Sequence, residues 1–273
     1  MFLMNTERVY LFEGNEDIYL DLYVINDTRL TARDGMLVIP GGGYSAVCMD
    51  REGEKTALAY LARGVNAYVW NYRCAKEDVF PMHLEYAARA MKWIKDNAKE
   101  HNTNPERVFV SGFSAGGHLA ANLTTDYAFI EERLGYEKNA VKPKGAVLCY
   151  PVITAIGPCH KGSFTNLLNK PFEELTDEEK TYHSIETRVT CETPPAFIWH
   201  TSEDNAVPVH SSLKLGLAYA NAGVPFALHV YPYGPHGIAL ANEYSNAHDG
   251  VNRVQPLADG WLDDSIEWMK TVK

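Results

Sequence analysis

The chain has 273 residues, 46% of them hydrophobic and 22% charged, with 35 acidic against 25 basic side chains and a formal net charge of −10. This size and balance fit one folded globular α/β domain spanning residues 1–273 and argue against a disordered chain. With no dense Lys/Arg cluster, they also argue against nucleic acid and anionic membranes as partners.

Residues 1–8 hold too few apolar positions for a secretory segment, and no stretch approaches transmembrane length, so a cytoplasmic location is expected. The five cysteines, Cys48, Cys74, Cys149, Cys159 and Cys191, are scattered and never form a C-x-x-C pair, which suits reduced thiols better than a disulfide frame or a zinc site.

Residues 8–12 and 18–25 read as an initial antiparallel strand pair, since Ile18 to Val24 alternates in part with period two. Residues 36–39 form a short apolar strand that ends at Pro40-Gly41-Gly42-Gly43-Tyr44-Ser45. In residues 52–63, Ala57, Leu58, Leu61 and Ala62 recur at helical spacing, and Gly64 is a natural stop. A strand over 65–71 precedes a helix over 81–100, with Ala87, Ala90, Met91, Ile94 and Ala98 on one face and Pro81 in a first turn that needs no N–H there.

Strands over 107–111, 145–150, 195–201 and 226–231 then alternate with helices over 115–124, 208–222 and 262–273. Such alternation predicts a mostly parallel central sheet with helices on both faces. Residues 152–193 break the pattern with Gly157, Pro158, Gly162, Pro171 and an acidic run over 173–179, and carry only weak helical periodicity. Either a small cap or substrate-side insertion, or a solvated excursion, accounts for them.

The consecutive glycines after residue 40 are physically suited to cradling a phosphate, to holding an oxyanion or to turning the chain. They lack the Gly-Lys-Ser/Thr ending of a Walker loop and the G-x-G-x-x-G of a dinucleotide loop. The more informative stretch is Val108-Phe109-Val110-Ser111-Gly112-Phe113-Ser114-Ala115-Gly116-Gly117-His118, where a strand enters Gly112-x-Ser114-x-Gly116 and a small-residue helix leaves it. This is the setting of a nucleophile elbow. The alternative is an ordinary strand-to-helix turn with an N-cap serine.

A serine nucleophile needs a base within hydrogen-bond reach and a third group to orient that base, here in the chain order Ser, acid, His. Asp204 lies in the polar loop after the strand over 195–201, with Glu203 as an adjacent competitor; the shorter Asp is better suited to fixing one imidazole tautomer, or else caps the next helix. His236 sits in a Gly/Pro loop after the strand over 226–231. His118, His200 and His229 read as structural neighbours, whereas His83, His101, His160, His183, His210 and His248 have no comparable context.

With these motifs in order, the chain resembles the α/β-hydrolase superfamily from first strand to last helix. Within it, the words Pro40-Gly41-Gly42-Gly43-Tyr44, Arg51-Glu52-Gly53-Glu54, Gly112 to Ala120, Tyr150-Pro151-Val152-Ile153-Thr154, Thr193 to Phe197 and Trp199-His200-Thr201 are similar to the bacterial esterase/lipase group labelled acetyl-xylan esterase. The resemblance implies carboxylic ester hydrolysis with no metal or organic cofactor. It implies Ser114 as nucleophile, His236 as base and Asp204 as its orienting acid, and the N–H groups of Gly42, Gly43 and Ala115 as the oxyanion hole.

Pro40 stands where hormone-sensitive-lipase-type members carry His, a change expected to alter the bracing of the loop and not its backbone donors. A small-molecule ester substrate with a short acyl group is expected, such as an acetylated sugar or xylo-oligosaccharide. Tyr44, Arg51 and Glu52 are placed to face a hydroxylated leaving group; equally, Tyr44 packs and Arg51 and Glu52 form an ion pair at a helix start. Amide hydrolysis, as in arylformamidase or peptidases sharing Asp204-x-x-Val207-Pro208, and a binding protein on a hydrolase fold are the rival readings. A homo-oligomer is compatible with the sequence.

Overall fold

The computed structural model describes residues 4–12, 14–27, 29–74, 76–246 and 249–273; residues 1–3 of the amino-terminal segment and His248 lie outside them. The strands are β1 (Met4–Tyr10), β2 (Tyr19–Ile25), β3 (Arg33–Ile39), β4 (Asn66–Asn71), β5 (Thr103–Phe113), β6 (Ala146–Cys149), β7 (Ala196–Thr201) and β8 (Phe226–Tyr231). Among the described residues they form an eight-stranded sheet in the order β1-β2-β4-β3-β5-β6-β7-β8. The pairs β1/β2 and β2/β4 are antiparallel and every later pair is parallel, so the mostly parallel sheet expected from the sequence is present.

Strand alternation divides the core between the two faces. Leu37, Ile39, Val108, Val110, Leu148 and Ile198 pack with helices α2 (Met82–Asp96), α3 (Ser114–Leu134) and α6 (His210–Ala222). Met36, Val38, Phe109, Val147, Phe197 and Trp199 turn the other way, towards α1 (Lys55–Ala62) and α7 (Trp261–Thr271). Both sides of the central strands are covered, which is why these strands read as apolar runs and not as a polar/apolar alternation.

Helices α2 and α3 differ most in extent from the sequence reading. Helix α3 continues to Leu134, ten residues past the expected end at 124, because Tyr127 and Ile130 extend its buried stripe and Gly135 at φ 68° supplies the left-handed stop. Helix α2 ends at Asp96, since Asn97 turns out of the helix and Thr103 N–H closes the following turn onto Ala98.

Residues 152–193 carry packed and hydrogen-bonded elements. Val152, Ala155, Phe164, Phe172 and Leu175 form a small apolar cluster with Val207, and Ile185 N–H donates to the Ile153 carbonyl at 3.0 Å. The segment folds into α4 (Lys161–Leu168) and α5 (Asp177–Tyr182). Helix α5 starts with a reciprocal capping box between Thr176 and Glu179. Asp177, Glu178 and Glu179 of the acidic run form the first turn of α5, where carboxylates meet the positive end of the helix. Among the described residues no helix is long and apolar enough to cross a membrane.

Candidate active site

Strand β5 arrives extended at Phe113 (φ −115°, ψ 131°), Ser114 takes φ 53°, and α3 begins at once. The flanking glycines have a steric cause. A Cβ on Gly112 would lie 2.3 Å from the Gly116 carbonyl oxygen, and one on Gly116 would lie 2.2 Å from Ile39 O and 2.3 Å from Pro40 O. Only glycine lets α3 pass this close to the end of β3, and that approach brings Ser114 beside the glycine loop.

The loop after β7 and the loop after β8 converge on the same point. His236 Nδ1 lies 2.6 Å from Asp204 Oδ2, and His236 Nε2 lies 2.8 Å from Ser114 Oγ. The carboxylate sets the tautomer, with Nδ1–H donating to Asp204 and Nε2 left to accept from the serine hydroxyl. Asp204 Oδ1 accepts the N–H groups of Ala206 (3.0 Å) and Val207 (2.8 Å), so its second oxygen is held towards the imidazole. Burial pushes the Asp204 carboxyl up, but hydrogen bonds to His200 and His236 and the proximity of both rings outweigh it and hold the group well below the usual carboxylate range.

His200 is fully buried, with Nε2 2.9 Å from the Val207 carbonyl and Nδ1 2.8 Å from Ser212 Oγ. It steadies the acid loop, as its place in the sequence suggested. Glu203 takes a different job, accepting the Gly234 N–H at 3.3 Å across to the loop that carries His236.

The glycine loop follows β3. Gly42 has φ 134°, and a Cβ there would lie 2.0 Å from the Ala46 carbonyl oxygen. That carbonyl belongs to a tight turn in which Gly42 O accepts the N–H groups of Ser45 and Ala46, both at 3.1 Å. Gly41 N–H is spent on Glu52 Oε2 at 2.7 Å, whereas among the described residues the N–H groups of Gly42 and Gly43 have no hydrogen-bond partner. Ala115 N–H lies in the first turn of α3, where no intrahelical acceptor exists. The Tyr72 hydroxyl donates to the Pro40 carbonyl at 2.9 Å, a backbone contact that does not depend on the Pro40 side chain.

The substrate-facing expectation for Tyr44 and Glu52 is corrected by their burial. Tyr44 is 3% exposed and its hydroxyl donates to His118 Nδ1 at 2.9 Å, while His118 Nε2 donates to the His183 carbonyl at 3.0 Å. Glu52 is 1% exposed, with both oxygens engaged within the protein. Arg51 Nη2 lies 4.0 Å from Glu52 Oε1, so the ion-pair alternative describes this pair.

Sequence reasoning missed Tyr150, whose ring meets His236 edge-on at 5.1 Å. It also missed Asn166, which reaches the glycine loop from α4 with a 2.7 Å hydrogen bond. Neither residue carries a spacing signal, because each contact joins distant parts of the chain. A large cavity of about 710 Å³, lined in part by Lys95, Lys142, Pro195, Pro225 and Trp268, opens near the amino ends of the parallel strands and includes none of Ser114, Asp204 and His236. The site is marked by convergent polar groups.

A family model, BD-FAE, matches residues 20–218. The chain belongs to the BD-FAE family. This BD-FAE member is 37% identical over 241 residues to endo-1,4-beta-xylanase B of Butyrivibrio fibrisolvens, covering 87% of this chain and 37% of that one. It is 30% identical over 239 residues to the acetylxylan esterase of Xylanibacter ruminicola, covering 86% and 45%. The chain thus spans less than half the length of these two relatives.

Among solved structures, the acetyl ester-xyloside bifunctional hydrolase of Caldicellulosiruptor lactoaceticus superposes with a TM-score of 0.82 at 29% identity, covering 97% of this chain and 96% of that one. The fold is the α/β-hydrolase fold, and the resemblance to acetyl-xylan esterases carried by the motifs is borne out.

Proposed function

We propose that this protein is a serine carboxylic ester hydrolase that removes short acyl groups, acetyl foremost, from hydroxylated alcohols such as sugars or xylo-oligosaccharides. The observation that carries the reading is the unbroken line from Asp204 through His236 to Ser114, with contacts of 2.6 and 2.8 Å. Ser114 Oγ attacks the ester carbonyl as His236 Nε2 takes its proton, and Asp204 stabilises the imidazolium that forms. The N–H groups of Gly42, Gly43 and Ala115 meet the developing oxyanion, each donor contributing roughly 10²–10³-fold in rate. His236 then protonates the leaving alcohol, and water attacks the acyl-enzyme with His236 again as base. This cycle needs no metal or organic cofactor.

The acetylxylan esterase and acetyl ester-xyloside hydrolase among the relatives support an acetylated carbohydrate as substrate. Residues 152–193 act as the substrate-side cap in this reading, supported by the bond from Asn166 to the glycine loop.

Ser114→Ala should lower hydrolysis of p-nitrophenyl acetate by about 10⁶-fold, as removal of a catalytic serine does elsewhere. Wild-type activity in that variant refutes the catalytic assignment. An acyl-length series with acetylated xylo-oligosaccharides, formylkynurenine and aminoacyl amides tests the substrate. Preference for octanoyl or longer esters overturns the short-acyl reading, and amide turnover comparable to that of esters overturns the esterase reading.

A further inference from the structure

We infer that Glu52 is a positioning residue that locks the oxyanion loop and the His236 loop into one register, and that it governs turnover and not substrate binding. The inference rests on the ester-hydrolase reading of the same site.

A carboxylate at 1% exposure is costly to bury unless its oxygens are used. Glu52 uses each of them on a different half of the site. Oε2 accepts Gly41 N–H at 2.7 Å, on the residue before the proposed donor Gly42. Oε1 accepts the Tyr150 hydroxyl at 2.9 Å. The Tyr150 oxygen in turn accepts Ala239 N–H at 3.0 Å, just past His236, and the Tyr150 ring stands edge-on against the imidazole at 5.1 Å.

The same group also borders the residue after the base. A Cβ on Gly237 would lie 3.3 Å from Arg51 Nη2 and 3.9 Å from Glu52 Oε1. Glu52 is therefore the one acceptor that joins the loop after β3 to the loop after β8 through the end of β6, among the described residues. These loops arise from strands that are not sequence neighbours, and no backbone hydrogen bond between them substitutes for this bridge among the described residues.

The Glu52 side chain faces neither solvent nor an open cleft, so its removal leaves ground-state contacts with an ester intact. The oxyanion and the imidazolium exist only along the reaction path. Donors and base displaced by a fraction of an ångström then raise the barrier and leave KM nearly unchanged.

Glu52→Gln, Tyr150→Phe and the double variant test this with p-nitrophenyl acetate, each at a temperature well below its own Tm. Glu52→Gln should lower kcat by about tenfold with KM within twofold, and should slow covalent labelling of Ser114 by a serine-directed phosphonate in proportion. Tyr150→Phe should lower kcat by about threefold or more with KM unchanged. The double variant should lose clearly less than the product of the two single losses, because both changes cut the shared Glu52–Tyr150 bond.

A wild-type kcat in Glu52→Gln, a raised KM with kcat retained, or multiplicative losses in the double variant would each overturn the inference. Should Glu52→Gln fail to fold, Tyr150→Phe decides alone, and an unchanged kcat there refutes the link. Failure of the wild-type protein to hydrolyse any ester, with Ser114 unlabelled by the phosphonate, sinks the underlying ester-hydrolase reading instead. An active wild type beside an unimpaired Glu52→Gln sinks only the role of Glu52.

Discussion

Asn166 Nδ2 donates a 2.7 Å hydrogen bond to the Gly43 carbonyl, across 123 positions of sequence. It is a direct tie between helix α4 and the proposed oxyanion loop, at Gly43, two residues beyond the Gly41 N–H that Glu52 holds. Asn166→Ala should lower kcat/KM on p-nitrophenyl acetate by about fivefold, the equivalent of one hydrogen bond of about 1 kcal/mol. Steady-state kinetics with a parallel melt checks this, and the accompanying fall in Tm should be only about 2 °C.

Adjacent acids in the β7 loop separate cleanly. Asp204 contacts His236, whereas Glu203 holds the Gly234 N–H. Asp204→Asn keeps the shape but favours the wrong imidazole tautomer, so kcat should drop by about 10⁴-fold. Glu203→Gln retains an acceptor for Gly234 and should change kcat by less than about threefold, a difference set by one hydrogen bond of modest worth. Because the folded-state pKa of Asp204 is depressed, its ionised form adds stability above the ordinary carboxylate range, and that contribution is lost as pH falls below the range.

The elbow tolerates no extra methyl group on the helix side. Gly116→Ala would force a Cβ to within 2.2 Å of Ile39 O, and that neighbour is backbone that cannot rotate away. The variant should lose about 3 kcal/mol or more, at the upper end of overpacking costs. Urea denaturation of the variant beside wild type measures it; an unchanged midpoint would contradict the close passage of α3 over β3.

Behind the glycine loop lies a group of buried histidines that resist protonation. Burial lowers His83 to about 4, His118 to about 3 and His183 to about 4, from an ordinary 6.5. Below pH 6.5 the unfolded chain binds these protons and the folded one does not, so stability is fully present above pH 6.5 and declines as pH falls towards 4. Calorimetry from pH 8 to pH 4 should show Tm level at first and then falling. His83 packs edge-on against Tyr44 at 5.0 Å and Tyr72 at 6.0 Å, a site that an aromatic ring fits, so His83→Phe should make the acid decline shallower.

Much of the proposed site was legible in the residues because its causes are local. The spacing of Gly112, Ser114 and Gly116 records a steric demand within one strand-turn-helix unit. Asp204 and His236 were recognisable because each follows a strand in the expected chain order. Thr176 and Glu179 were equally local, yet were read as part of an acidic run although Thr-x-x-Glu is a capping-box pattern. For Tyr44, Arg51 and Glu52 the residues allow both a substrate-facing and a packed or ion-paired reading, because proximity in sequence says nothing about which way a side chain turns.

By itself the sequence determined the alternation of strands and helices, the sheet they build, and the order in which serine, acid and histidine enter the site. The elements and the elbow follow from hydrophobic periodicity and glycine sterics, which act over a few residues, and the acid and histidine from their places after successive strands. Only the tertiary structure decided that Glu52 and Tyr150 face inward to join two loops, that Tyr44 spends its hydroxyl on His118, and that Asn166 reaches Gly43. Each of those outcomes is a hydrogen bond between groups 11 to 123 positions apart, and its partner is chosen by which chain segments the folded sheet brings within reach.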